Sequence, residues 1–447
     1  MTSYIPTDFV DALRFGDQLM DARITPYVLG RPHGQPIHGA LSTGSIVVDR
    51  TSEIRRSGSI NLEVIPPASG KQSDSLLFPL NPNSLINPFG TEILLEVGVA
   101  TPAKANQPKK TSTLAYLDNM SGNYTNIPDT QYFPLGLFRI ESTAVDDTVM
   151  DCVVTLTLGD RAYTISSRPL MNPYNFPAVG GNFTAEIQAF LNPIWEQTAN
   201  VAPLVYNIVP TSTPVPAASF NQGSDPWSSA QQVANSIGYE LYFDALGVVI
   251  GRPIPVPSTQ PIKWNYSDQT TAILSNLGTG AQGLFLSPYS TPVECQVSMT
   301  SLGIYNYVAI QGTGTANAPS YNGPGGTISG TPILATASDT NPKSPTYVQG
   351  GIGVVPYFDS SNLITSQGAQ MMATTELQSY ISASWTVTLT VPTNPILDVD
   401  DIITITRPRV GLNNAKMVID TITHGLNYAD TTVITGRLFD VDWINLQ

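Results

Sequence analysis

Between residues 224 and 253, in SDPWSSAQQVANSIGYELYFDALGVVIGRP, the apolar positions change period from helical to alternating. Trp227, Ala230, Val233, Ala234 and Ile237 recur at helical spacing, and Ser228, Ser229, Gln231, Gln232 and Asn235 fall mostly between them. That spacing predicts a helix with one buried face. Asp225 is placed to cap it, Pro226 suits its first position, and Gly238 can take the left-handed conformation that stops it. Tyr239, Leu241 and Phe243 then alternate with Glu240, Tyr242 and Asp244, and after a turn at Gly247 the run VVIGRP returns to Pro253. Alternation on both sides of a turn predicts a hairpin lying on the helix. Trp227 and Ile237 are its expected structural anchors.

Elsewhere the pattern is mostly β. Strand-like runs appear at GSIVVDR, SINLEVIP, TEILLEVGVA, LGLFRIESTAV and MDCVVTLTLGDRAYTIS, separated by Pro, Gly, Asn and Ser. They predict an antiparallel domain over 1–168, with an aperiodic insertion near 101–131. A connector domain over 169–290 holds a short helix near TAEIQAFLNPIW and the helix-hairpin unit above. The last domain, 291–447, begins with the strand YNYVAIQG and a Gly/Pro-rich loop at 312–332. Ala369, Met372, Ala373, Glu376, Leu377, Tyr380 and Ile381 then recur at helical spacing, with Thr365 or Ser366 available as cap. WTVTLTVP alternates as a half-buried strand, and DIITITRP, AKMVIDTITHGL and TTVITGRLF complete a sheet. The fold class is mainly β with short helices (α+β), and the similar character of the first and last thirds is consistent with a duplicated fold.

Composition sharpens this. Only 12% of the 447 residues are charged, against about 25% in an average domain, so the surface is built from Ser, Thr, Asn and Gln. Such a surface suits proteins of assemblies or of extracellular settings. The net charge is −14, which disfavours a grip on nucleic acid through its phosphates. Two cysteines, Cys152 and Cys295, are too few for a disulfide framework and are expected as buried free thiols. The first residues, MTSYIPTDFVDALRFGDQLMD, lack the basic start and apolar core of a signal peptide. No apolar run is long enough to span a membrane, so synthesis in the cytoplasm is expected.

Candidate chemistry is sparse. His33 and His38 share a Gly/Pro-rich loop and His424 lies in a strand run, without the Cys or Glu that would complete a metal-ligand pattern. No nucleophile elbow, P-loop or zinc-protease motif occurs. In LDVDD, Asp398, Asp400 and Asp401 read either as a turn entering a strand or as a glycosidase carboxylate pair, which needs two carboxyls about 5 to 9.5 Å apart across a cleft. Arg50, Arg55 and Arg56 in DRTSEIRRSG read either as an exposed strand and turn or as a grip on a partner's carboxylates. Neither catalysis nor a cofactor is expected.

The order of several segments resembles the tail hub or minor tail proteins of long-tailed bacteriophages, especially those of actinobacteria, which are similar in fold to baseplate hubs. The segments are VVDRTSEIRRSGSINL, LINPFGTEILLEVGV, PLGLFRIES and LGDRAYTIS, then the 224–253 unit, then YNYVAIQG, SDTNPKSPTYVQGGIG, PYFDSSNLITSQGAQMMATTEL and NPILDVDDIITI. They run in order over nearly the whole chain, and only the 101–131 and 312–332 loops depart from the pattern. The resemblance implies two tail-tube-like β-barrel or sandwich domains joined by a connector. It implies a homotrimeric ring at the distal end of a virion's tail, contacting the distal tail protein, the tape-measure protein and other tail-tip proteins, with DNA passing through unbound and no insertion into a membrane. Asp398, Asp400 and Asp401 are then expected to face the lumen and repel phosphates. Two alternatives remain open, a carbohydrate-active enzyme and a receptor-binding protein of a virion or cell surface.

Overall fold

The computed structural model describes residues 20–39, 41–64, 75–81, 83–100, 130–147, 152–176, 181–268, 294–300, 304–314, 331–344, 346–363, 366–382, 385–426 and 430–439. Most of the 101–131 insertion and of the 312–332 loop, and Thr365, lie outside them. The first part holds β1 (Met20–Val28), β2 (Arg31–Pro32), β3 (Ile37–His38), β4 (Leu41–Asp49), β5 (Arg56–Glu63), β6 (Thr91–Ala100), β7 (Thr130–Asp147) and β8 (Cys152–Asp160). The middle holds α1 (Arg161–Ser166), β9 (Tyr174–Asn175), α2 (Phe183–Trp195), β10 (Tyr206–Ile208), β11 (Ser219–Phe220), α3 (Pro226–Ser236), β12 (Tyr239–Phe243) and β13 (Val249–Pro253). The last part holds β14 (Ile262–Ser267), β15 (Glu294–Met299), β16 (Tyr307–Gly314), β17 (Thr331–Ser338), β18 (Pro356–Leu363), α4 (Ser366–Ser382), β19 (Trp385–Val391), β20 (Ile402–Arg407), β21 (Leu412–Gly425) and β22 (Thr432–Phe439).

Local chemistry sets the boundaries. Asp225 accepts from the Trp227 and Ser228 amides at 2.8 and 3.3 Å and so starts α3. Gly238 stops it at φ +76°. The run LGDRAYTIS, expected as continuing strand, instead breaks at Asp160, whose carboxylate accepts from the Ala162 amide at 2.9 Å and caps α1. Short-range capping there overrides an alternating pattern.

One sheet carries most strands, in the order β15-β19-β22-β21-β4-β5-β8-β7-β6-β1-β2. β20 adds to β21, β14 to β20 and β3 to β1. Nearly all pairs are antiparallel, β14 with β20 being parallel, and among the described residues no barrel closes. β14, within the range expected for the connector, therefore belongs to the C-terminal part of this sheet. YNYVAIQG, expected as a strand, forms β16 in a separate sheet of order β17-β16-β18. There Val308 and Ile310 pack on Ala369, Ala373 and Leu377 of α4.

The first and last parts join through β21. It pairs with β22 along one side, while its other side pairs first with β20, through Val418, and then with β4, from Thr421 onward. Between them lie Ile419, still paired with Gly436 of β22, and Asp420, an irregularity in that ladder. Such a bulge bends a strand locally, and here it marks the change of partner. Side chains interlock across it: Val48 of β4 lies in the C-terminal core, and Leu426, just beyond β21, lies in the N-terminal one. A third core gathers α1, α2, α3, β12 and β13 around Trp227.

Candidate functional site

The turn between β4 and β5, residues 50–55, lies where the three parts meet. Asp49 closes it, donating its amide to the Arg55 carbonyl at 2.8 Å, and the Arg50 amide donates to the Asp420 carbonyl at the bulge, 3.0 Å. The segment before β20 reaches the same place, with the Asp400 amide on the Ile419 carbonyl at 2.9 Å and the Ile419 amide on the Asp401 carbonyl at 3.1 Å. The β12-β13 hairpin supplies the third side. Backbone bonds thus bring together side chains from distant stretches of sequence.

Asp400 is the focus. Arg55 Nη2 donates to its Oδ2 at 2.6 Å and Arg252 Nη2 to the same oxygen at 2.9 Å, while Arg50 Nε forms an ion pair with Oδ1 at 2.5 Å. Its backbone is left-handed, φ +69°, a conformation Asp tolerates better than most residues. Around it, Arg252 Nε donates to Glu240 Oε1 at 2.5 Å, Arg55 Nη1 lies 3.6 Å from Glu240 Oε2, and the Arg55 guanidinium stacks 3.8 Å over Tyr242. Arg56 Nη2 donates to Asp398 Oδ2 at 2.5 Å and Nη1 to the Leu135 carbonyl at 3.0 Å. Lys263 Nζ donates to Asp401 Oδ2 at 2.7 Å. Arg50, Arg55, Arg56, Arg252 and Lys263 thereby face Glu240, Asp398, Asp400 and Asp401, five cations against four carboxylates.

The electrostatics follow from this crowding. Burial pushes the Glu240 carboxyl up, with the Asp400 charge adding to it. Burial also opposes ionisation of Asp398, but Arg56 and Arg55 outweigh it and hold that carboxyl below the usual range. Asp160, wholly enclosed, is pushed up to about 6 by burial, although the Ala162 and Arg56 amides donate to it.

LDVDD forms the turn that leads into β20, as one reading of it had it, while the exposed-surface and partner-grip readings of the arginines and the lumen and glycosidase readings of the acids are corrected by this geometry. Arg55 and Arg56 are 4% exposed, so they are neither an exposed turn surface nor free to grip a partner, and Arg50 is bound to Asp400. Asp400 is 7% exposed and neutralised by three arginines, which leaves it no phosphate-repelling face. Asp398 and Asp401 are part-exposed, but each is paired. The same pairing takes these carboxylates out of a glycosidase role, which needs them directed into a cleft. Each cluster is the other's partner.

Trp227 is 1% exposed, stacks on Phe243 at 4.9 Å between ring centroids, and donates Nε1 to the Glu53 carbonyl at 3.0 Å. It therefore ties α3 to the turn that carries the arginines. Ile237, also 1% exposed, ends the buried stripe. Arg161 makes a bidentate pair with buried Glu92 of β6, at 2.9 and 2.8 Å, and donates to the Gly247 carbonyl between β12 and β13 at 3.2 Å, which fixes that hairpin to the first part. The sequence reading missed Arg161, Glu92, Glu240 and Arg252; in a chain so poor in charge, a charged residue inside an apolar run was the available signal.

Among the described residues no group of three or more His, Cys, Asp or Glu could hold a metal ion. His33 is exposed, and Nδ1 of His38 lies 3.2 Å from Asp21 Oδ2. Cys152 is buried, Cys295 half-buried, and both are free thiols. No described helix is long and apolar enough to cross a membrane.

No protein-family profile and no curated protein matches the chain. Solved structures do. A tail protein from Neisseria meningitidis aligns over 95% of this chain and 98% of its own, with 12% identity and a TM-score of 0.55. The 43 kDa tail protein of prophage MuSo2 from Shewanella oneidensis aligns over 93% and 98%, with 12% identity and a TM-score of 0.52. The chain shares the fold of these two tail proteins.

Proposed function

We propose that this chain is a structural, non-enzymatic protein of a phage tail, placed as the hub at the distal end of the tail tube. The observation that carries the reading is the fold shared along almost the full length of two tail proteins. The solved relatives come from Neisseria and Shewanella, so the reading is made for phage tails in general and not for those of actinobacteria. In it, 1–168 and 291–447, the latter together with β14, are two tube-like portions held by the rest of the connector 169–290. Three copies present six such portions around the tail axis, and the ring meets the distal tail protein, the tape-measure protein and other tail-tip proteins.

The internal architecture favours such a role. The β4-β21 pairing and the charged junction hold the first and last parts in one relation, as a ring subunit requires. The ionisable groups at the junction are consumed in that bracing, which is what a scaffold needs and a catalyst does not. DNA would pass without being held because the chain as a whole carries −14, not because of Asp398, Asp400 and Asp401. Immunogold labelling of particles from the host that encodes the chain tests the assignment. Label confined to tail tips is expected; label absent from particles, with the protein free in the medium, would overturn it.

A further inference from the structure

The chain leaves the large sheet at the end of β15 and returns to it at the start of β19. These two strands pair with each other, with Met299 opposite Trp385 at that end. What lies between, residues 304–382, is therefore tethered to the sheet at one place. It carries its own core, in which Val308, Ile310, Ala335, Ala369, Ala373 and Leu377 pack together without any described residue from outside 304–382. None of its described residues enters the other three cores. The seam between the first and last parts is the contrast: there Val48 and Leu426 each cross into the opposite core.

The segment is braced from within. Asn306, wholly buried, donates to the Thr346 and Gly353 carbonyls at 2.8 and 2.6 Å and accepts from the Val355 amide at 2.7 Å, which ties the 339–355 loop to the start of β16. Tyr305, Tyr357 and Tyr380 touch one another with ring centroids 4.8 to 5.3 Å apart and so join that point to β18 and α4. What holds the segment to the rest is of another kind. Arg437 of β22 grips Asp420 at the bulge through Nε and Nη2, at 2.7 and 2.8 Å, and its Nη1 donates to Ser379 of α4, to Oγ at 2.6 Å and to the carbonyl at 3.3 Å. Glu376 of α4 interacts with the charges of Arg50 and Arg437. Nearer the start of α4, Met371 lies against Gly238, where an added Cβ would meet its sulfur at 2.9 Å. A cleft remains between the two bodies, with Arg50, Asp400 and Arg437 on the junction's wall and Thr375, Gln378 and Ser379 on that of α4.

We propose that residues 304–382 form a hinged lobe that swings as one body about the end of the β15-β19 pair, latched by Arg437 on Ser379 and by Glu376 facing Arg50 and Arg437. A unit with its own core, its own braces and one tether moves relative to its neighbour unless a large apolar interface prevents it. Closed, the lobe covers the Arg50 and Asp400 side of the junction. Open, it uncovers that side while the seam and the connector keep their places. The inference makes no use of the tail assignment, so the two stand or fall separately.

The test measures distances between spin labels by double electron-electron resonance in the full chain. Cys152 is buried, and Cys295→Ala removes the half-buried thiol, so that only introduced cysteines react. One pair, Leu246→Cys with Phe358→Cys, spans the hairpin turn and the lobe; the other, Leu334→Cys with Phe358→Cys, lies within the lobe. These side chains are 56%, 71% and 67% exposed for Leu246, Phe358 and Leu334, so folding should be unchanged, and circular dichroism checks this. The latch is cut from the lobe's side by Glu376→Gln with Ser379→Ala, which leaves the bulge untouched. With the latch intact the spanning pair is expected mainly at the closed distance; with it cut, a longer distance should appear and the ratio of open to closed rise roughly tenfold. The pair within the lobe should not change. A spanning distribution that stays the same when the latch is cut would overturn the hinge. So would a pair within the lobe that broadens in step, because the lobe would then be unfolding and not swinging.

Discussion

Asp400 holds three guanidiniums at one carboxylate while its own backbone is left-handed, and both features localise the cost of changing it. Asparagine also tolerates positive φ, so Asp400→Asn removes charge and little else. With Arg55 and Asp400 side chains each 5% exposed, the orphaned arginines should cost about 3–5 kcal/mol of stability. Urea denaturation reads this directly. Arg252, with a third of its side chain exposed, is the contrast, and Arg252→Gln should cost about 1 kcal/mol or less. His424 gives a pH signature. It is 2% exposed, and burial first, with Arg56 adding, depresses its pKa to about 4. An unfolded histidine titrates near about 6.5, so the unfolded chain binds the proton first as pH falls. Stability from neutral His424 is present above about 6.5 and is lost between there and about 4, by about 3 kcal/mol. The Asp160 carboxyl, raised to about 6, works in the opposite sense between about 4 and 6. Comparing His424→Asn with wild type isolates the histidine: the variant should lose less stability on acidification from pH 7 to pH 4.

Strand β21 is the element on which the architecture turns, because its bulge at Asp420 moves it from β20 to β4. Opposite that bulge sits Gly436, where an added Cβ would come within 2.1 Å of the Val418 carbonyl oxygen. Backbone cannot yield as a flexible side chain can. Gly436→Ala should therefore lower stability by about 2 kcal/mol or more, measured by thermal unfolding, whereas an unchanged melting temperature would mean that the strands do not approach so closely. Elements defined by local signals were legible in the sequence: α3 announced itself through Asp225, Pro226, Gly238 and five apolar positions at helical spacing. Elements defined by distant partners were not. Nothing around Val308 and Ile310 says that their strand leaves the large sheet for α4. Arg55 and Asp400 are 345 residues apart, so the two charge clusters could be picked out but not matched. At 12% charged residues, three arginines within seven positions and three aspartates within four stood out as clusters, but nothing in the sequence paired one with the other.

As a whole molecule the chain reads as a brace: two β regions sewn into one sheet, a connector docked over the seam, and its densest charges neutralised inside that seam. Its charged residues are few, and it shares the fold of two tail proteins over more than nine-tenths of its length. Cryo-electron microscopy of the tail, with this chain's fold placed in the density, tests the tail assignment directly. The account predicts three copies around the tail axis at the distal end, with β21 and the charged junction intact in each. Density there that the fold cannot occupy, or the chain found only elsewhere on the particle, would contradict it.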